Sequence, residues 1–208
     1  MDEFWTADEA AFRKRAADYF RRRGNPRASC AAAEFESIWT DLRGASGADG
    51  AGSPPRRLLS GSILIIEEAA CHDPKLGREL FEWRAAAPLD PVEEMACRLG
   101  RLAGTAAHVL ESGAGAARER GSFSSNLMGC REVQESLACL VSGAAIMRLG
   151  SCRLCRLLER GERERAGRES TVLDGWARAL AADVRSAARL LLGDPWVEAN
   201  IPADGRPF

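Results

Sequence analysis

Lysine is nearly missing from this 208-residue chain, standing only at Lys14 and Lys75. Almost all positive charge is therefore arginine, which with the abundant alanine is the mark of GC-rich coding rather than of chemistry. No basic surplus exists either. Lys and Arg number 29 against 30 Asp and Glu, a formal net charge of -1, so the concentrated positive field of a nucleic-acid binder is absent and nucleic acid is set aside as a partner. Histidine is confined to His72 and His108. No continuous apolar run approaches the roughly 18–20 residues that cross a bilayer, and the opening MDEFWTADEAAFRKRAADYF is acidic, without a basic stretch followed by an apolar one. A cytoplasmic protein with no membrane partner is expected. Alternating runs of Val, Ile, Thr and aromatics are also absent, so no segment reads as a strand.

What is present is helical periodicity. With 46% hydrophobic residues the chain is long enough to bury a sizeable core. Thr6 with Asp8 and Glu9 starts a first helix, carried by Phe12, Ala16, Tyr19 and Phe20 and stopped at Gly24-Asn25-Pro26. Ala33 to Leu42 gives a short second helix. GASGADGAGSPP, residues 44–55, has no hydrophobic period and marks a loop; its glycines lack both the order and the preceding strand of a dinucleotide fingerprint. Residues 57–70 read as helix, and a break at His72-Asp73-Pro74 precedes a short helical piece through Trp83. AAAPLDP, residues 85–91, is a connector. Three long amphipathic stripes follow, over 93–118, 130–160 and 170–192. An all-α fold is expected, with a reduced helical region at 1–84, a connector at 85–92 and an antiparallel helical bundle at 93–208.

Few motifs carry chemistry. Seven cysteines, an odd number scattered through helices, fit free thiols. Cys152 and Cys155 have CxxC spacing, but no second pair completes a four-ligand zinc site, and core packing is the expectation. No metal ligand set is assigned. His72 sits at a helix end, and His108 falls within a helix. Glu67-Glu68 and Glu93-Glu94 are adjacent carboxylates that point about 100° apart on a helix, so a solvated face is expected for each pair. The charge run ERGERERAGRE, residues 159–169, is expected as a solvated turn.

One stretch aligns several features at once. Arg120-Gly-Ser-Phe123, then Leu127, then Arg131-Glu-Val-Gln134-Glu-Ser-Leu137-Ala138 resembles the helix-to-helix motif in the C-terminal domain of the acyl-CoA dehydrogenases. There a long helix ends in Arg-x-x-Phe-Gly and the next begins Gln-x-x-Gln-x-x-Leu-Ala. The front of the chain is similar to the family's first helices through ILIIEEAACHDPKLGREL, and LLLGDPWVEANIPADGR, residues 190–206, corresponds to its second flavin-facing segment. The resemblance implies that Arg120, Phe123, Gln134 and Gly193 bind FAD, in part that of a neighbouring subunit; a guanidinium suits pyrophosphate and a ring packs on a cofactor face. Departures are Ser124 for glycine, Arg131 for glutamine, Leu190 for glutamine and Asp194 for glycine, the last bringing a negative charge toward the pyrophosphate.

The family's middle β-domain would fall between about Trp83 and Val92, where only the connector stands. Its catalytic glutamate lies beyond the position corresponding to Phe208. Dehydrogenation needs a base at the α-proton and a flavin at the β-carbon, so no catalytic residue is assigned. The resemblance implies a protein without autonomous catalysis that acts as an assembly or partner subunit, in a homo-oligomer or a hetero-oligomer with a full-length acyl-CoA dehydrogenase-like subunit. Its alternative is an oxidoreductase subunit that completes an FAD site with that partner.

Overall fold

The computed structural model describes residues 5–23, 56–85, 90–122 and 125–201. The second helix expected at 33–42, the glycine loop at 44–55, most of the connector, Cys30 and Phe123 lie outside the described residues. The described chain is an all-α bundle of seven helices: α1 Ala7–Arg23, α2 Arg56–His72, α3 Pro74–Ala85, α4 Pro91–Glu119, α5 Arg131–Glu159, α6 Arg163–Leu192 and α7 Asp194–Asn200.

Local chemistry sets the ends. Thr6 and Glu9 form a reciprocal cap on α1: the Thr6 backbone N–H donates to Glu9 Oε2 at 2.8 Å and the Glu9 N–H to Thr6 Oγ1 at 3.3 Å, satisfying two orphan donors together. Asp90 caps α4 by accepting from the Val92 N–H at 2.9 Å, with Pro91 at the first helical position, where its missing N–H costs nothing. Gly193 ends α6 with φ of 92°, a conformation that side chains disfavour. The third long helix begins at Arg163, seven residues earlier than its apolar stripe predicts. Most of the run at 159–169 is therefore helix and only its start is turn. The polar first turns of α6 carry arginine–glutamate pairs one turn apart in place of an apolar stripe, including Arg168 with Glu164 and Arg165 with Glu169.

Helix α4 is the axis, in contact with α2, α3, α5 and α6. Its Leu99 and Leu102 share one buried cluster with Ile63 and Leu64 of α2 and with Leu140, Met147 and Leu154 of α5. Small residues let the helices close up. A Cβ on Gly104 would lie 2.1 Å from the Glu67 carbonyl oxygen, and one on Gly77 of α3 would lie 2.4 Å from Ala70 Cβ. The Glu67–Cys71 stretch of α2 is thus gripped from two sides.

Candidate functional site

The connection at 119–131 is a short hydrogen-bonded hairpin. Gly121–Ser122 pairs antiparallel with Ser125–Asn126, the Leu127 N–H donates to the Arg120 carbonyl at 3.2 Å, and one 3₁₀ turn, Leu127–Gly129, leads into α5. Arg120 is exposed and its Nη1 donates to the Leu191 carbonyl at 3.2 Å. That carbonyl belongs to the last turn of α6, where four C=O groups lack helical partners. Gln134, also exposed, donates from Nε2 to the Met128 carbonyl at 2.9 Å, tying the 3₁₀ turn to α5. Gly193 has open space around it, with Pro195 Cδ at 3.8 Å from a notional Cβ. Arg120 and Gly193 therefore meet at one end of α6, while Gln134 serves the start of α5. Asp194 pairs with Arg189 at 3.2 Å on the surface.

The densest electrostatics lie elsewhere. Glu67 and Glu68, expected on a solvated face, are buried. Their 100° separation does not keep them apart, because one long arginine from α1 spans both: Arg13 Nη2 meets Glu67 Oε1 at 3.1 Å and Arg13 Nε meets Glu68 Oε1 at 2.6 Å. Arg148 of α5 also donates through Nε to Glu67 Oε1. Glu67 Oε2 is buried and has no hydrogen-bond partner among the described residues. The cluster ties α1 and α5 to α2 and was not legible from the Glu-Glu pair alone.

Burial pushes the Glu68 carboxyl above its ordinary value, the Arg13 guanidinium opposes this and the Glu67 charge adds to it. The folded state then holds that proton more tightly than the unfolded chain. Glu68 accordingly favours folding below the ordinary carboxylate range, and this contribution is lost as pH rises through the raised pKa. Glu68→Gln should therefore raise the melting temperature at about pH 7 relative to its effect at about pH 4. Thermal unfolding followed at both pH values checks this, and a larger loss at neutral pH would disprove it.

Beside the cluster, His108 Nδ1 donates to the Cys71 carbonyl at 2.9 Å. A carbonyl only accepts, so Nδ1 carries a proton, and Nε2 faces Ser112 Oγ at 3.4 Å. The ring stacks on Trp196, centroids 5.7 Å apart at 15°. This is a clamp joining α2, α4 and α7, with serine and histidine one turn apart on one helix. Burial pushes the Cys71 thiol up to about 11, with the Glu68 charge adding to it. A thiol held protonated is a poor nucleophile. Cys152 and Cys155 are buried in α5, as core packing requires. Among the described residues no three His, Cys, Asp or Glu side chains gather as a metal site.

The remaining feature is a surface. From Ser136 to Met147, SLACLVSGAAIM, helix α5 carries no charge. Its inner side faces α4 and α6; its outer side exposes Ala138, Cys139, Val141 and Ser142, followed by Leu149. Val141 is 45% exposed and Leu149 39%. By length and composition α5 is apolar enough to cross a membrane, and only 39% of its apolar window is buried; small residues and cysteines between the leucines hide this when only continuous runs of large apolar residues are sought. Gly143 lies against Leu180 and Gly150 against Leu173, so α5 and α6 run antiparallel with Trp176 level with Met147. Asp174 reaches Arg98 of α4 at 3.3 Å and marks one edge of α6. Val172 and Trp176, 60% and 54% exposed, lie on the other edge, beside the apolar side of α5.

No family model matches the chain, and neither a curated protein nor a solved structure is significantly similar to it.

Proposed function

We propose that this chain is an acyl-CoA-dehydrogenase-like assembly subunit, without catalysis of its own, whose task is to pack its helical bundle against another subunit. The observation that carries this reading is the uncharged outer face of α5, where Cys139, Val141, Ser142 and Leu149 are open to solvent. Exposed contiguous apolar surface of this kind is characteristic of protein interfaces. The motif at 118–138 supports the family context. Arg120 and Gln134 are engaged with the Leu191 and Met128 carbonyls, which favours a packing role for them over a flavin role.

Val141→Glu combined with Leu149→Glu sets two desolvated charges into any interface formed there and should dissociate it, weakening association by at least about 100-fold. Light scattering on the purified chain, alone and co-expressed with a full-length acyl-CoA dehydrogenase, measures the effect. If neither preparation contains a complex, the assembly reading fails. The visible spectrum of the same samples separates the second role: a colourless complex is expected, whereas flavin bands that disappear with Arg120→Ala would make the chain an FAD-completing oxidoreductase subunit.

A further inference from the structure

Resting on the assembly reading, we infer that the partner on α5 is a second copy of this chain, its α5 laid antiparallel across a two-fold axis on the outer side of the helix, at the height of Ala144, whose own side chain faces inward. The charges flanking the apolar face carry the inference. Glu135 lies nine residues before Ala144 and Arg153 nine residues after it. The two are about five helical turns apart and so project from the same side of α5. Both are well exposed, at 61% and 53% of the side chain. Arg148 is basic too, but it is turned inward onto Glu67 and leaves the outer face clear.

A two-fold axis at this height sets Glu135 of each copy opposite Arg153 of the other, twice over, which is the self-complementarity an isologous interface demands. Each group already has one partner on its own chain: Arg131 Nε meets Glu135 Oε1 at 2.6 Å, and Arg153 Nη2 donates to Glu169 Oε1 at 2.7 Å. Joining them extends both pairs into an alternating row of Arg131, Glu135, Arg153 and Glu169 across the seam. At the centre, Ser142 and Ile146 lie about 20° to either side of the line through Glu135 and Arg153, and this uncharged surface lets the helices approach to about 8–10 Å. A parallel arrangement in register would instead oppose Glu135 to Glu135 and Arg153 to Arg153.

Light scattering should give twice the 22.5 kDa chain mass. Glu135→Arg should raise the dimer dissociation constant at least about tenfold through two like-charge contacts, and adding Arg153→Glu should restore it. Ser142→Cys combined with Ile146→Cys in a Cys139→Ser background should oxidise to a cross-linked dimer, because the two-fold sets residue 142 of one copy at the height of residue 146 of the other and within disulfide range. Cys139 itself, roughly 15 Å from its mate along the axis, should not cross-link in the native chain. A dimer indifferent to Glu135→Arg and not cross-linked through the Ser142→Cys, Ile146→Cys pair would overturn the antiparallel pairing while leaving assembly through this face intact. A chain that is monomeric alone but complexed with the full-length dehydrogenase would overturn self-pairing and keep the assembly reading. Sedimentation of the wild-type chain, but not the Val141→Glu, Leu149→Glu variant, with phosphatidylcholine vesicles would put lipid in place of the second copy.

Discussion

Glu67→Leu should cost about 3–5 kcal/mol of folding stability, the range for breaking a buried ion pair from one side. Glu67 has no exposed surface, and Arg13 and Arg148 beside it keep only 15% and 13% of their side chains exposed. Leucine fills much of the same volume, so cavity formation is a small part of the loss. The loss comes from the arginines. Arg13 retains Glu68, but Arg148 is left with a desolvated guanidinium whose ion-pair partner at Glu67 has been removed. Removing Arg148 as well, by Arg148→Met, should therefore recover part of the stability, because a matched apolar pair has no stranded charge. Urea unfolding of the wild type, both single variants and the double variant forms the cycle. A loss below about 1 kcal/mol for Glu67→Leu, the range of exposed pairs, would mean that water reaches the cluster and that it does not anchor α1 and α5.

Most of the helices were legible because they announce themselves locally, whereas α7, Asp194–Asn200, was not among the expected elements. Thr6 and Glu9 sit three apart at the start of α1, Asp90-Pro91 precedes the stripe of α4, and Leu191-Leu192-Gly193 closes α6. The Glu67 cluster is invisible on the same terms, since its arginines lie 54 and 81 residues away in sequence and a Glu-Glu pair followed by Ala-Ala looks like any solvated helix. The spacing of Arg120 and Gln134 was plain, yet what Arg120 does depends on a carbonyl 71 residues further on. The outer face of α5 is the intermediate case. Twelve uncharged residues from 136 to 147 are readable in the sequence, and of the stripe at Val133, Leu137, Leu140, Val141 and Ala144 all but Val141, which is 45% exposed, mark the buried side. Only the packing of α4 and α6 shows that nothing among the described residues covers the other side.

Gly104→Ala should destabilise the fold by about 2 kcal/mol or more, at the upper part of the overpacking range, although the same change in an open helix interior stabilises by about 0.5–1 kcal/mol. The reversal follows from what the added carbon meets. It would sit 2.1 Å from the Glu67 carbonyl oxygen, 2.9 Å from Ala70 Cβ and 3.0 Å from the Cys71 backbone nitrogen. Two of these are backbone atoms, which cannot rotate aside, so α2 must move away from α4 as a body. Gly115 lies on the same helix with nothing within 4 Å of a notional Cβ, and Gly115→Ala should raise stability by the ordinary helical increment. Opposite signs from one substitution in one helix isolate contact from propensity; chemical unfolding of both variants reads them directly. Displacing α2 also pulls Glu67 away from Arg148, so Gly104→Ala and Glu67→Leu damage the same contact. Their combined loss should fall short of the sum by about 1 kcal/mol or more, as coupled neighbours do. Strict additivity would mean that the glycine seam and the ion-pair cluster are independent, and that α2 is held to α5 by its apolar residues alone.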